Sequence, residues 1–324
     1  MTKAIRIYKT GSSDEMKWED VEVGSPGAGQ ISIRHTAVGL NFLDVYQRSG
    51  LYSGDGFPVI LGNEGAGIVE AVGEGVSEFA IGDRVAYGSG MGSYAEVRNI
   101  DTHHVVKIPD GVEDQTAAAM MLKGMTAMYL LRRTYEVKAG DTILVWAAAG
   151  GVGQILVQWA KHLGATVIGC VSTSEKADAI KALGADHAIL HRDEDVAARV
   201  DEITGGKGVA VSYDSVGKAT LDTSLKSLSP FGMLVSYGNS SGAITDLALG
   251  RLAGGGSLYV TRPTLVTHTA TRDLLLDCAN QLFDVVGKGA VKINIGQTYP
   301  LADAKQAHDD LEASKTTGST VLLP

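Results

Sequence analysis

The spacing of hydrophobic and polar residues differs between two parts of this chain. Up to about residue 124 the apolar runs are short, β-like and separated by Gly, Pro and Asp, as in Gln30–Val38, Ala66–Val72 and Arg84–Tyr87. From about 125 to 266, β-rich runs alternate with runs at helical spacing. Such alternation is typical of a parallel sheet with helices on both faces. The pattern predicts an α/β protein in which a doubly wound parallel sheet accompanies a mainly β domain.

The alternating region divides into successive elements. Strands are predicted at Thr142–Trp146, Ala165–Val171, His187–Leu190, Val209–Tyr213, Met233–Tyr237 and Ser257–Thr261, and helices at Ser174–Leu183, closed by Gly184, and at Asp193–Thr204. The remaining residues, 267–324, contain two helical stretches and a terminal β-like run, Ser319–Leu323. We expect this segment to return to the first domain. The predicted domains are therefore 1–124 with 267–324, and 125–266.

The turn after the first strand of the alternating region carries the strongest chemical signal. Its sequence is Ala147-Ala148-Ala149-Gly150-Gly151-Val152-Gly153, and apolar residues then recur at helical spacing as far as Leu163, before Gly164. Compared with the G-x-G-x-x-G fingerprint, Ala148 replaces the first glycine, whereas Gly150 and Gly153 keep the second and third. Backbone N–H groups at such a turn, together with the helix dipole, favour a pyrophosphate. We predict a dinucleotide site at Ala149, Gly150, Gly151, Val152 and Gly153, the alternative being a tight turn without a ligand.

The end of the second predicted strand indicates which dinucleotide binds. An NAD-preferring site has Asp or Glu there, whereas this chain has Ser172 and Thr173, with Lys176 one helical turn onward. Hydroxyl donors and a cation suit a 2′-phosphate, so NADPH is favoured over NADH. Capping of the next helix by Ser172 or Ser174 is compatible with phosphate binding. Glu175 is evidence against NADPH, but it falls inside the predicted helix.

Composition limits the alternatives. The chain has 324 residues, enough for two domains, and its 44% hydrophobic and 20% charged residues are ordinary for a soluble globular protein. A formal net charge of −9 argues against a general binder of nucleic acid or anionic membranes. Cys170 and Cys278 lie among apolar or small residues, which predicts buried free thiols rather than a disulfide. With no signal-peptide-like or membrane-spanning run, we expect a cytoplasmic protein.

Several segments resemble one family. Asn41-Phe42-Leu43-Asp44-Val45-Tyr46, followed by Arg48-Ser49-Gly50-Leu51-Tyr52, resembles the N-F-x-D-x-Y-x-R-x-G-x-Y stretch of NADPH:quinone oxidoreductases, the zeta-crystallin-like members of the medium-chain dehydrogenase/reductase superfamily. Further landmarks resemble that family in the same order along the chain: residues 61–67, 123–127, 213–217, 238–242 and 256–263. The likeness is particularly strong to the bacterial members. It implies a GroES-like catalytic domain beside a Rossmann NADPH-binding domain, and a quinone or another electrophilic carbonyl compound as acceptor.

The resemblance also bears on metal binding. Alcohol dehydrogenases of the same superfamily hold zinc through a Cys, a His beside a Glu, and a second Cys, and these places correspond here to Asn41, Asn63 and Lys123. Amide and ammonium groups are poor zinc ligands, so no metal site is predicted. His103 and His104 would face opposite ways in an extended chain and are interpreted as solvated or core residues.

The resemblance assigns candidate roles near the nicotinamide. It places Asn41, Tyr46 and Tyr52 in the cleft, where Asn41 and Tyr46 would orient cofactor and acceptor and a phenol could donate to a developing oxyanion. Without it, the favoured interpretation of each tyrosine is a packed aromatic with its hydroxyl at the surface. Lys123, the fourth catalytic candidate, lies in an uncharged run and could attract phosphate, pair with Glu64 or be a plain surface lysine.

The remaining cofactor candidates follow strand ends or match the family. Val216, Gly238, Asn239 and Ser240 follow the fourth and fifth strands of the parallel sheet and are assigned to the nicotinamide half of the cofactor. The relatives have Tyr-Arg after the third strand, near the adenosine phosphate, where this chain has His191 and Arg192, which predicts a mild pH sensitivity of NADPH affinity. Lys315 stands where the relatives have an arginine that reaches the cofactor.

One strand also suggests how the chain assembles. Gly256–Pro263 has the character of a sheet edge, and relatives join such edges across a two-fold axis, so a homodimer is expected. The predicted activity is metal-free, NADPH-dependent reduction of quinones. Two alternatives stay open: an NADPH-dependent 2-alkenal or enoyl reductase, and an NADPH-binding protein with an RNA-binding or structural role.

Overall fold

The computed structural model describes residues 2–52 and 56–324. The chain divides into two compact units. Unit 1 comprises Met1–Met125, Thr269–Gly287 and Ile293–Pro324, and unit 2 comprises Thr126–His268 and Lys288–Lys292. The stretch Lys288–Lys292 thus groups with unit 2, whereas the domain boundaries drawn from the sequence placed it in the first domain.

The described part of the chain is built from strands and helices in mixed order. The strands are β1 (Thr2–Ile7), β2 (Lys17–Val21), β3 (Gln30–Leu40), β4 (Val59–Ile60), β5 (Glu64–Val72), β6 (Arg84–Tyr87), β7 (Val97–Asp101), β8 (Val105–Lys107), β9 (Thr142–Val145), β10 (Thr166–Val171), β11 (His187–Leu190), β12 (Val209–Asp214), β13 (Leu228–Ser236), β14 (Tyr259–Thr261), β15 (Ile295–Pro300) and β16 (Ser319–Leu323). The helices are α1 (Phe42–Ser49), α2 (Asp114–Tyr129), α3 (Gly151–His162), α4 (Ser174–Ala182), α5 (Val196–Thr204), α6 (Leu221–Lys226), α7 (Gly250–Gly254), α8 (Leu265–His268), α9 (Arg272–Gly287) and α10 (Ala304–Glu312).

Unit 1 is organised around two sheets. The larger has the order β15-β16-β3-β5-β6-β8, with β7 also paired to β3, and the smaller has the order β2-β1-β4. Ile31 and Ile33 of β3, Val69 of β5 and Val85 of β6 point into one core, as alternation along strands requires. The terminal strand β16 pairs antiparallel with β3, so that Thr320 lies opposite Leu40. The last residues therefore complete a sheet that begins early in the chain.

Unit 2 contains one parallel sheet of order β11-β10-β9-β12-β13-β14. This is the order of a doubly wound dinucleotide-binding sheet, which confirms the predicted fold class. The apolar run Ile143-Leu144-Val145 is fully buried, as expected for a central strand covered on both faces. Positive φ angles at Gly164 (+87°) and Gly184 (+105°) follow α3 and α4, the positions at which the sequence predicted that both helices end. β14 lies at one edge of the sheet, as predicted.

Some predicted boundaries were wrong. The helix expected from Asp193 begins at Val196, because the Asp195 side chain accepts from Ala198 N–H and so occupies the N-cap position. Glu194 lies before the helix, and its side chain accepts from Leu190 N–H at 2.7 Å. The pair His103-His104 belongs to a 3₁₀ turn rather than an extended run, which brings the two rings together edge to face.

The two thiols were also anticipated. Cys170 and Cys278 are both buried and free, as predicted. Among the described residues, every helix is either too short or too polar to cross a lipid bilayer.

Candidate functional site

The glycine-rich turn of unit 2 connects β9 to α3. Gly150 is the extended N-cap residue (φ −79°, ψ 173°), and the helix begins at Gly151. The first N–H groups of any helix have no acceptor within it, and Gly150 offers no side chain to cap them. A side chain at Gly153 would place its Cβ 2.3 Å from the carbonyl oxygen of Ala147, so only glycine is accommodated there. The turn therefore forms the backbone cradle that a pyrophosphate requires, and these residues fit a dinucleotide.

The second strand of the parallel sheet ends in hydroxyl residues. The N-cap of α4 is Thr173, whose Oγ1 accepts from Lys176 N–H at 3.4 Å, whereas the sequence had offered Ser172 or Ser174 for this role. Thr173 is the residue in extended conformation immediately before the first turn, as an N-cap must be. Ser172 and Thr173 are partly buried, and Glu175 is exposed inside the helix, as its position had indicated. The strand end thus presents hydroxyls and Lys176, which suit a 2′-phosphate. The carboxylate of Glu175 accepts from the side chains of Thr173 and Ser174, and these hydrogen bonds lower the pKa of Glu175.

The residues proposed to hold the adenosine phosphate lie after β11. His191 and Arg192 are exposed, and the His191 ring lies 6.1 Å from that of Trp146, measured between centroids. Although His191 is at the surface, its ring is partly desolvated, and this together with the neighbouring Arg192 guanidinium lowers the pKa of His191. Lys315, in unit 1, donates from Nζ to Asp310 Oδ1 at 3.1 Å. Their contacts with a cofactor remain predictions.

Two loops meet at the carboxyl ends of β12 and β13. The Asp214 carboxylate, fully buried, accepts from the N–H groups of Val216 and Gly217 at 2.8 and 2.9 Å and from the hydroxyls of Thr220 and Ser224, both at 2.7 Å. Four donors satisfy this carboxylate and fix the loop after β12.

The second of these loops packs against the first. Ser240 N–H donates to the carbonyl of Ser215, and Gly242 N–H donates to that of Asn239. A Cβ at Gly238 would lie 2.3 Å from the carbonyl oxygen of Ser215. The structure thus brings four candidate residues together at the carboxyl ends of β12 and β13, where doubly wound folds bind ligands. They are Val216, Gly238, Asn239 and Ser240.

A buried ionic cluster occupies unit 1. Glu64 is fully buried, and its Oε2 accepts from Lys123 Nζ at 2.7 Å and from Asn41 Nδ2 at 2.8 Å. Its Oε1 accepts from Leu122 N–H at 2.8 Å. Gly39 leaves room for the Glu64 carboxylate, because a Cβ at position 39 would lie 2.4 Å from Glu64 Oε2. Of the readings that the sequence left open for Lys123, the structure shows the pairing with Glu64.

A second buried carboxylate lies beside this cluster. Asp44 accepts from Asn41 N–H at 2.9 Å, from Asn63 Nδ2 at 2.7 Å and from the Tyr94 hydroxyl at 2.9 Å. Burial raises the pKa of Asp44 to about 6, against the opposing effect of these hydrogen bonds. Asn41 is therefore held at both ends, by Asp44 through its backbone and by Glu64 through its amide.

The two candidate tyrosines contact each other. Tyr46 lies on α1 and Tyr52 in the turn after it, with ring centroids 5.3 Å apart and the planes at 75°. Tyr52 N–H donates to the carbonyl of Tyr46 at 3.1 Å, and Tyr52 is 39% exposed. The edge-to-face contact fixes the direction of both phenols, while the turn leaves Tyr52 accessible to a ligand.

The three residues that correspond to the zinc ligands of alcohol dehydrogenases lie in the same part of unit 1. Asn41 and Lys123 both donate to Glu64, and Asn63 donates to Asp44 and, at 2.7 Å, to Gln47. An ammonium group and two amides that act as donors do not form a zinc ligand set. The residues at these places do not fit a zinc ion.

Sequence reasoning gave too little weight to three of the residues that organise these sites. Asp44 and Asp214 stood in segments that resembled the family but received no role, and Glu64 was considered only as a partner for Lys123. The available signal was their position: each is a lone acidic residue in an apolar or glycine-rich run, where a buried carboxylate must find several donors.

Comparison with known proteins gives consistent results. The family model described as "Alcohol dehydrogenase GroES-like domain" matches residues 27–110, and the one described as "Zinc-binding dehydrogenase" matches residues 151–279. A quinone oxidoreductase of Pseudomonas aeruginosa is 49% identical over the full length of both chains. A 2-haloacrylate reductase of a Burkholderia species is 45% identical, over 100% of this chain and 99% of the relative.

A solved structure is similarly close. The crystal structure of Escherichia coli quinone oxidoreductase complexed with NADPH is 45% identical and superposes with a TM-score of 0.98, covering 99% of this chain and 100% of the other.

Proposed function

Because the chain belongs to the quinone oxidoreductases of the medium-chain dehydrogenase/reductase superfamily, we propose that it reduces quinones with NADPH by hydride transfer and without a metal. The observation that carries this proposal is the turn from β9 to α3 in unit 2, where Gly153 leaves no space for a side chain. The hydroxyl-lined end of β10, with Lys176, supports NADPH over NADH. The full-length similarity to quinone oxidoreductases supports the acceptor class.

When bound, NADPH supplies a hydride from C4 of its nicotinamide. A quinone that takes up this hydride and one proton from solvent becomes the hydroquinone, and NADP⁺ is released. The backbone of Gly150, Gly151 and Gly153 holds the pyrophosphate, and Thr173 and Lys176 hold the 2′-phosphate. The loops at Val216 and at Gly238–Ser240 position the nicotinamide half.

Unit 1 supplies the groups that act on the acceptor. Asn41 presents an amide whose orientation is fixed by its bond to Glu64. Tyr46 and Tyr52 present phenol groups, which can donate hydrogen bonds to the quinone oxygen as negative charge develops on it. Lys123 neutralises Glu64, so the buried carboxylate does not repel that charge.

Metal independence follows from the chemistry of the acceptor and of the cluster. A quinone is already a strong electrophile and needs no Lewis acid. The carboxylate of Glu64 is bound by Lys123 and Asn41, so a zinc ion would have to displace an ammonium group from a buried partner.

Turnover assays test the proposal directly. We expect loss of reduced-nicotinamide absorbance with 1,4-benzoquinone or 9,10-phenanthrenequinone when NADPH is the donor. The rate should be much lower with NADH and unchanged by a chelator. Measurable NADPH binding without turnover of any acceptor would refute the enzymatic proposal, and inhibition by the chelator would refute its metal-free form.

The second candidate is reduction of an α,β-unsaturated carbonyl compound. The 2-haloacrylate reductase of Burkholderia, 45% identical, favours it, because hydride delivery to an activated double bond uses the same cofactor geometry. This reaction also needs a proton delivered to carbon. A higher kcat/KM with a 2-alkenal or a 2-haloacrylate than with any quinone would replace the quinone by this acceptor class.

We further propose that two copies pair through β14 and that the protein acts in the cytoplasm. Support for the pairing comes from the edge position of β14 and from its exposed Tyr259. Phe231, in the adjoining strand β13, is also exposed. The two buried free thiols support a reducing compartment. Light scattering on the purified chain, which should give twice the monomer mass, tests the dimer.

A further inference from the structure

The loop that follows β13 is fixed from one side by the loop that follows β12. The carbonyl oxygen of Asp214 accepts from Tyr237 N–H at 2.8 Å and from Gly238 N–H at 3.3 Å. Ser241 N–H donates to the carbonyl of Val216 at 2.9 Å. Together with the bond from Gly242 N–H to the carbonyl of Asn239, these bonds fix the loop from the side of β12.

An arginine at the end of the edge strand β14 binds two carbonyl groups at the start of this loop. Arg262 directly follows β14, and its Nη1 donates to Ser236 O at 2.9 Å and to Gly238 O at 3.0 Å. Bonds from an ionised donor are shorter and stronger than those between neutral groups. The single nitrogen therefore spans the backbone on both sides of Tyr237, at the point where the chain leaves β13 for Asn239.

Arg262 binds main-chain groups through Nη1, although its side chain is exposed. Another exposed arginine of the same unit, Arg251, forms an ion pair with Asp222. What its bonds determine is the course of the loop Gly238–Ser240.

We infer that Arg262 is a positioning residue that sets the loop Gly238–Ser240 for the nicotinamide half of NADPH. The inference rests on the proposed function, since that loop is the one assigned to the nicotinamide. Hydride transfer needs the donor carbon and acceptor within a narrow range of distance and angle, and a displacement of about 1 Å in a supporting loop can cost a large factor in rate. The adenosine half binds elsewhere, at the glycine-rich turn and α4, and should not depend on Arg262.

Two ligands separate a local effect from a general one. Arg262→Met removes the donor while keeping a long side chain, and its affinity is measured for NADPH and for 2′-phospho-ADP-ribose, which lacks the nicotinamide. We expect the Kd for NADPH to rise about tenfold, which is about 1.4 kcal/mol, and the Kd for 2′-phospho-ADP-ribose to stay unchanged. Arg251→Met, which removes an exposed guanidinium from the same unit, is the matched control and should alter neither.

Chemical rescue provides an independent readout. Arg262 lies at a surface recess also lined by Thr134, Thr264 and His268, so a small solute can reach the space left by Arg262→Ala. Guanidinium chloride at concentrations well below those that unfold the protein should restore part of the NADPH affinity of this variant, whereas sodium chloride at equal ionic strength should not. A structural defect would instead become worse with a denaturant.

Kinetics with NADPH deuterated at the transferred C4 position complete the test. If the nicotinamide is misplaced, hydride transfer becomes slower relative to the other steps, and the isotope effect on kcat rises in Arg262→Met. An equal loss of affinity for both ligands, or no loss for either, would refute the inference while leaving the proposed function intact. A wild-type chain that binds neither ligand would refute the proposed function, and the inference with it.

Discussion

Replacing Lys123 by Met should destabilise unit 1 strongly, because it leaves the carboxylate of Glu64 buried without its cation. The ammonium nitrogen and Glu64 Oε2 are 2.7 Å apart, and the two side chains are 6% and 0% exposed. At an effective dielectric constant of about 20, charges at this distance attract by about 6 kcal/mol. Desolvation of both ions cancels much of that gain, yet removal of one partner from a buried pair costs about 3–5 kcal/mol.

A double-mutant cycle measures this pair. We expect Lys123→Met and Glu64→Gln each to lower the free energy of unfolding by about 3–5 kcal/mol, and the double variant to lose less than either single variant. For a unit of this size each kcal/mol shifts Tm by about 2–4 °C. Hydrogen exchange in β5 and in β10 shows whether the loss is confined to unit 1.

Two results would refute this reasoning. Single-variant costs below about 1 kcal/mol would mean that the pair behaves like one at the surface. A double variant as unstable as the sum of the singles would mean that the two residues do not interact. Turnover of the double variant answers the remaining question about Lys123: activity near that of the wild type would assign Lys123 to neutralising Glu64 and exclude a direct part in the reaction.

Four further predictions concern titration and the cofactor. Because burial raises the pKa of Asp44 to about 6, the folded state binds a proton at this carboxyl more readily than the unfolded state, so the free energy of unfolding of the wild type relative to that of Asp44→Asn should rise as pH falls through about 6, as urea unfolding of both proteins at several pH values would show. Taking the difference cancels the opposite contribution of His35 and His308, whose pKa values burial lowers to about 3. Lys176→Ala should weaken NADPH by about tenfold and leave NADH unchanged; equal losses in fluorescence titrations would exclude a 2′-phosphate contact. The lowered pKa of His191 confines any gain in NADPH affinity from its protonation to acid pH, and His191→Tyr should abolish that gain in the same titration at several pH values. Gly153→Ala should abolish NADPH binding and lower Tm, because its Cβ would lie 2.3 Å from Ala147 O; calorimetry that finds tight binding would show that the turn can relax.

Local pattern determined much of the fold. The apolar run before Ala147, the glycines after it and the helical spacing beyond predicted β9, the turn and α3 within a residue or two. This succeeded because a parallel strand buried on both faces and a helix buried along one face leave different periodicities in the sequence. Predictions failed at boundaries where capping decides the outcome: Asp195 rather than Asp193 marks the start of α5, since several neighbouring residues could each have served as the cap.

The sequence by itself determined the chemistry that is available. It supplied a glycine turn for a pyrophosphate, hydroxyl groups in place of the carboxylate that would repel a 2′-phosphate, and amides and an ammonium group where the alcohol dehydrogenases of the superfamily have zinc ligands. Only the tertiary structure decided which of these groups act together. Lys123 and Glu64 lie 59 positions apart in the chain and Arg262 lies 24 positions from Gly238, yet both pairs are in hydrogen-bond contact. A periodic pattern records which face of an element is buried, but it does not record which partner a buried charge or a surface arginine will meet. That choice depends on how strands are ordered in a sheet, which no local pattern specifies.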